Sequence, residues 1–210
     1  MPRTNEHLIT ALISMNRTAA HDIIRQHYNG KNTFLLIEQL VVPALETIGD
    51  LWTEGIVALS QVYMSSRIIE ELIDELLPPG DPGRIGQPKM AIAVLEDYHL
   101  LGKRIVWSIL RAGGYELLDY GRVTVAETLE KIVADKIEIL LISTLMLPSA
   151  LRIKDLKSEM ERQNLKTRLI VGGAPFRFDE MLWRDVNADA TANNAADSLK
   201  VLNGIVEELT

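Results

Sequence analysis

The fold of this chain turns on Met90-Ala91-Ile92-Ala93-Val94-Leu95-Glu96-Asp97-Tyr98-His99-Leu100-Leu101-Gly102. The stretch opens as a short continuous apolar run, the pattern of a strand buried on both faces. It then breaks into a polar loop and meets a glycine where a helical pattern begins. Two more short apolar runs follow, Ile139-Leu140-Leu141-Ile142 and Leu169-Ile170-Val171. Helical stretches separate the runs, around 102–112, 125–135, 150–163 and 195–208. Strands that alternate with helices predict a parallel sheet covered on both faces, an α/β domain. In such domains ligands bind beyond the carboxyl ends of the strands, near a topological switch point.

Upstream the period changes. Leu8, Ile9, Leu12 and Ile13 recur at spacings of three and four, as do Ile37, Leu40, Val41, Ala44, Leu45 and Ile48. Val62, Ile68, Ile69, Leu72, Ile73 and Leu76 form another such stripe. Each stripe buries one helix face, which predicts a small helical bundle. Asn29-Gly30 and the segment from Asp50 to Gly55 are breaks, and Pro43 marks a kink or a helix start. Between the two regions, Pro78-Pro79-Gly80-Asp81-Pro82-Gly83-Arg84-Ile85-Gly86-Gln87-Pro88 holds four of the eight prolines. Neither helix nor strand is expected to cross it. The expected organisation is a helical part at 1–77, a linker at 78–88 and an α/β domain at 89–210.

Composition narrows the function. The chain has 210 residues, 47% of them apolar, so disorder is excluded as its general state. Its 22 basic and 29 acidic side chains leave a formal charge of −7, which argues against non-specific nucleic-acid binding. No run of about 18 apolar residues occurs, so a membrane span is not expected. The opening MPRTNEHLIT lacks the apolar stretch of a secretory signal. There is no cysteine, which excludes disulfides, thiolate zinc sites, iron–sulfur clusters and cysteine nucleophiles. A cytoplasmic location is the expectation.

The segments after the apolar runs carry the candidate chemistry. Asp97 and His99 are two apart, so on an extended loop both side chains can face one way. A carboxylate that accepts from one imidazole nitrogen fixes the tautomer and frees the other as a base or metal ligand. A solvated loop histidine beside an acid is the plain alternative. Gly102 lets a helix begin close to a bound group. Ser143-Thr144-Leu145-Met146-Leu147-Pro148-Ser149 offers hydroxyls to a ligand or to the next helix, which Ser149 is placed to cap. Gly172-Gly173 indicates a close approach to the backbone or a turn with positive φ. No Gly-x-Gly-x-x-Gly or Gly-x-x-x-x-Gly-Lys pattern occurs, which disfavours dinucleotides and nucleoside triphosphates. His7, His21 and His27 form no pair on one helix face and are read as structural.

Together, Asp97-x-His99-x-x-Gly102, Ser143-x-Leu145 and Gly172-Gly173 resemble the cobalamin-binding domain family. Within it, the chain looks most like the corrinoid proteins of methyl-transfer systems and the cobalamin module of methionine synthase. Val42-Pro43-Ala44-Leu45-Glu46, Ile48-Gly49-Asp50-Leu51-Trp52-Thr53-Glu54-Gly55 and Ser60-Gln61-Val62 resemble that family's helical cap. The family usually has Pro-Gln-Val at the last of these. The resemblance implies an N-terminal helical bundle cap followed by a flavodoxin-like, parallel-sheet cobalamin-binding domain. It implies a cobalamin or related corrinoid cofactor, cycling between methylcobalamin and cob(I)alamin.

The resemblance also implies roles for residues. His99 would be the lower axial ligand of cobalt, replacing the cofactor's own base. Asp97 would accept its other N–H, and Ser149 would bond Asp97 in turn, so that a proton on this relay tunes the imidazole. Gly102, Ser143, Leu145, Leu147, Gly172 and Gly173 would border the groove for the displaced nucleotide tail. Trp52, Leu59, Val62 and Tyr63 would shield the methyl group from the cap side. Apolar residues at helical spacing are otherwise bundle core, and one face can serve both ends.

Three departures stand out. Leu147 replaces a frequent threonine, and Leu100 follows His99 where the family often has aspartate. Cobalamin photoreceptors of this architecture carry Trp, nine residues, then Glu-His, whereas here Trp52 leads to Val62-Tyr63. The implied role is a methyl carrier, a non-autonomous corrinoid subunit working between donor-specific and acceptor methyltransferases. A corrinoid reactivating protein would be a further partner. The alternative is a cobalamin-dependent sensor or regulator, disfavoured by the missing Glu-His pair. A small subunit of an adenosylcobalamin mutase would resemble the second domain alone.

Overall fold

The computed structural model describes residues 2–28, 36–76 and 86–209. The breaks expected at Asn29-Gly30 and across most of the Pro/Gly segment lie outside these residues. The chain forms two compact units. The first takes in the described residues up to Gly86, together with Ser108–Glu116 and Ala195–Leu199. The second comprises Gln87–Trp107, Leu117–Asn194 and the residues from Lys200 onward.

The first unit carries helices α1 (Pro2–Ile13), α2 (Arg17–His27), α3 (Val42–Thr53) and α4 (Leu59–Leu76). A π-helical turn at Ile37–Val41 runs directly into α3. Pro43 thus sits just after a π turn inside a continuous helical run, and the wider turn accommodates its missing N–H. Of the two outcomes open for Pro43, the helix start is not found: the helical run is already under way at Leu36. The stripes pack as their spacing requires: Leu8, Leu12, Ile24, Ile48, Ile68, Ile69, Leu72 and Ile73 are fully buried. Full burial of such a side chain stabilises by about 1.5–3 kcal/mol, far more than helix propensity supplies. Gly55, at φ +76°, ends the α3 corner. The buried Glu70 accepts from Ser108 Oγ at 2.6 Å and Arg67 Nη1 at 2.8 Å, so its charge is partnered.

The second unit is built on a five-stranded, all-parallel sheet. Its strands are β1 (Met90–Leu95), β2 (Leu117–Val123), β3 (Ile139–Thr144), β4 (Arg168–Gly173) and β5 (Ala190–Ala192). They lie in the order β2-β1-β3-β4-β5, so the topological switch falls between β1 and β3. The intervening helices are α5 (Leu100–Ala112), α6 (Val125–Asp135), α7 (Leu147–Arg162), the short α8 (Ala174–Phe178) and α9 (Leu182–Asp185), and finally α10 (Asp197–Leu209). The apolar runs at 90–95, 139–142 and 169–171 are the three central strands. No such run marks β2 or β5. β2 is an edge strand with a bulge opposite Ile92 and Ala93, and β5 has three residues. Met90 through Leu95 are all buried, as a central parallel strand demands.

Candidate functional site

The carboxyl ends of β1 and β3 flank the switch point, and the two loops there are tied by one side chain. Asp97 follows β1 and is 3% exposed. Its Oδ1 accepts from the main-chain N–H of Tyr98 at 2.7 Å and of His99 at 3.1 Å. Oδ1 also lies 2.6 Å from His99 Nδ1. Its Oδ2 accepts from the N–H groups of Leu145 and Met146, at 2.9 and 3.1 Å, across the switch. Burial works to raise the Asp97 pKa. The bonds from Leu145, the imidazole, Met146 and the His99 N–H outweigh it, so the carboxyl stays well below the ordinary carboxylate range. An ionised carboxylate can only accept, so Nδ1 must carry the proton.

That bond leaves His99 Nε2 with a free lone pair. The ring is half exposed, at 53%, and Nε2 has no partner among the described residues. An anchored imidazole with one open nitrogen is a metal ligand or a base. Among the described residues no cluster of three histidine or acidic side chains can hold a metal by itself. His99 would therefore give one bond to a metal whose other ligands come with it.

Small residues lie at the same end of the sheet. Gly102 lies in the first turn of α5, and a Cβ there would stand 3.2 Å from Ser143 Oγ. Ser143 pairs with Gly172, and Gly172 with Ala192. A Cβ on Gly172 would approach the Ala192 carbonyl at 3.1 Å. Gly102, Ser143, Gly172 and Ala192 thus make one run of small residues across the sheet end. Gly173 serves a different purpose: at φ +120° its Cβ would lie 1.8 Å from the Thr144 carbonyl oxygen, so only glycine fits. The hydroxyls of Thr144 and Thr191 are buried with no partner among the described residues. Leu145 and Leu147 are about half exposed beside Met146. An open imidazole nitrogen and a lane of small residues at one end of the sheet fit a planar metal macrocycle with a tail, such as a corrinoid.

Two expectations need correction. Ser149 does not bond Asp97. Its hydroxyl donates to the Leu95 carbonyl, because Ser149 stands inside the first turn of α7 and reaches back to β1. The five donors on Asp97 leave it no place. Nor is Ser149 the cap of α7: Met146 holds that position, with no side-chain cap bond. In the first unit, Trp52 lies on the last turn of α3, and Leu59, Val62 and Tyr63 on the first turns of α4. Val62 is buried, Trp52 and Tyr63 are half-buried and Leu59 is exposed.

Other participants escaped the sequence reading. Glu96 sits at φ +48° between β1 and Asp97. It accepts from Arg152 Nε at 2.9 Å and from the Val125 N–H at 3.3 Å. The bond from Arg152, foremost among the causes, lowers its pKa despite partial burial. Lys103, buried in α5, pairs with Asp119 of β2. The Arg122 guanidinium lies 4.0 Å above the Tyr98 ring, a cation–π contact over the same loop.

Comparison with known proteins gives the family. Residues 89–201 match the B12 binding domain, and residues 4–77 match a second B12 binding domain description. The chain belongs to the B12-binding proteins, and it binds cobalamin or a related corrinoid. It is 32% identical over 184 residues to monomethylamine corrinoid protein 1 of Methanosarcina acetivorans, covering 82% of this chain and 83% of that protein. Its fold is that of a cobalamin-binding protein from Desulfitobacterium hafniense DCB-2, with a TM-score of 0.79 at 21% identity over 95% and 97% of the two chains. A chain of the methanol:cobalamin methyltransferase complex MtaBC from Methanosarcina barkeri has the same fold. That match has a TM-score of 0.64 at 21% identity and covers 98% of this chain and 80% of the other.

Proposed function

We propose that this protein is a methyl carrier that holds its corrinoid with the lower base displaced and His99 in its place. The observation that carries the reading is the Asp97–His99 pair, which presents Nε2 unpartnered at the switch point. The likeness to a monomethylamine corrinoid protein supports methyl transfer as the process. When bound, the corrinoid supplies a cobalt centre able to accept and give up a methyl group. The residues of the chain do the rest. His99 Nε2 would hold the metal. Asp97 keeps the proton on Nδ1 and orients the ring. Gly102, Ser143, Gly172 and Ala192 leave width for the nucleotide tail. Leu145 and Leu147 border that opening. Gly173 holds the turn that ends β4.

Trp52, Leu59, Val62 and Tyr63 are assigned to shielding the reactive face from water and oxygen. The organisation proposed is a cap at 1–77, a linker at 78–88 and a corrinoid domain at 89–210. A carrier acts only in company, so the partners are methyltransferases for a donor and for an acceptor. A cytoplasmic location suits those partners. The test is to reduce corrinoid-loaded protein, expose it to labelled iodomethane, remove the reagent and count retained label. Stoichiometric label that a methyl acceptor then discharges supports the carrier role. Loaded, reduced protein that takes no label contradicts it.

A further inference from the structure

Glu96 is a non-glycine residue held at φ +48°, a left-handed conformation that glycine adopts more readily. It is the single residue between the last position of β1 and Asp97, so its backbone aims the loop that bears His99. Its main-chain N–H donates to the Val123 carbonyl at 2.9 Å, which extends the β1–β2 pairing by one residue. Its side chain then does what a glycine could not. The carboxylate meets Arg152 side-on, with Nε at 2.9 Å and Nη2 at 3.4 Å, and also takes the N–H of Val125 at the start of α6. Arg152 is held in turn by Asp155 one turn further along α7.

Two consecutive residues therefore fasten β1 to the α7 region. Asp97 takes the N–H groups of Leu145 and Met146 just before α7, and Glu96 takes the Arg152 guanidinium from within it. An ion pair this exposed, with side chains 28% and 46% accessible, contributes little to overall stability. A side-on arginine pair does fix direction. We infer that the Glu96–Arg152 pair is a positioning device for the Asp97–His99 site, holding the left-handed turn that sets where the imidazole stands. The inference rests on His99 being the cobalt ligand only for its consequence, not for its geometry.

The test begins on protein without corrinoid. Amide hydrogen exchange at Leu145 and Met146, and the ring nitrogen spectrum of His99, are measured in the parent, Arg152→Met, Arg152→Lys and Glu96→Gly. Arg152→Met keeps the aliphatic stem, and an unfolding midpoint equal to the parent's is the expected sign that the fold is kept. Its two amides are expected to exchange about tenfold faster, and its His99 Nδ1–H signal to broaden, with partial recovery in Arg152→Lys. Glu96→Gly removes the pair but eases the turn, and the same loosening is expected. Hydroxocobalamin is expected to bind Arg152→Met about tenfold more weakly, the lower range for partners that orient a ligand. Exchange rates and ring signals equal to the parent in Arg152→Met overturn the inference. If Arg152→Met loosens the amides while His99→Ala binds hydroxocobalamin as the parent does, positioning stands and the axial-ligand reading falls.

Discussion

Replacing Asp97 by asparagine removes a single charge and no volume, yet the structure makes it an expensive change. Asp97 is 3% exposed and accepts from four main-chain N–H groups and one ring nitrogen. Asparagine has one acceptor oxygen and an amide that only donates. With the oxygen toward Leu145 and Met146, the amide confronts the Tyr98 and His99 N–H groups. With the oxygen toward Tyr98 and His99, it confronts Leu145 and Met146. Either way two main-chain donors lose their acceptor, at about 1–3 kcal/mol each. The neighbouring side chains Tyr98, Leu145 and Met146 are exposed, so water reaches part of the loop and the lower half of that sum applies. The expected loss is about 2–4 kcal/mol in equilibrium urea unfolding of the corrinoid-free protein. His99→Ala is the control. It leaves all four main-chain bonds in place and should cost less than about 1 kcal/mol. An Asp97→Asn loss within about 0.5 kcal/mol, the range of an ordinary surface substitution, would refute the bridge between the β1 and β3 loops.

The stability gap between parent and Asp97→Asn should follow pH in one direction. The folded pKa of Asp97 is depressed, so its contribution is full above the ordinary value of 3.8 and shrinks as pH falls toward the folded value; a gap that grew with acid would reverse the sign. Gly173→Ala forces a Cβ to 1.8 Å from the Thr144 carbonyl at φ +120°, so it should lower stability by more than about 3 kcal/mol or give no soluble protein. Gly102→Ala is the opposite case: the ordinary helix gain of about 1 kcal/mol offsets the 3.2 Å approach to Ser143 Oγ, so thermal stability holds while hydroxocobalamin affinity falls. Thr124→Ala breaks the capping box with Glu127 at α6 and should cost about 1 kcal/mol in the same unfolding assay, without touching corrinoid binding.

What the sequence makes legible is whatever burial writes into it. Met90–Leu95, Ile139–Ile142 and Leu169–Val171 are central strands, covered on both faces, and show as unbroken apolar runs. Leu117–Val123 is an edge strand buried only at its two ends and interrupted by a bulge, and Ala190–Ala192 is too short to show a pattern. The same division holds in the site. Asp97, His99, Gly102 and the glycine pair are visible because side-chain chemistry and spacing announce them. Ser149 misled, because a hydroxyl at a helix start has several acceptors within reach and spacing does not choose among them. The main-chain donors of Leu145 and Met146 were invisible, since any residue there supplies the same N–H. Glu96 went unseen because a left-handed φ leaves no mark on a glutamate.

The central claim is that His99 is the axial ligand, and the most direct measurement is electron paramagnetic resonance of the bound cobalt in its paramagnetic cob(II) state. The protein is prepared with histidine labelled by nitrogen-15 and loaded with cobalamin of natural isotope content. The account predicts that the nitrogen splitting on the cobalt lines changes from triplets to doublets with the label, and disappears in His99→Ala. Triplets that persist in the labelled protein would mean that the cofactor keeps its own base, and would contradict it.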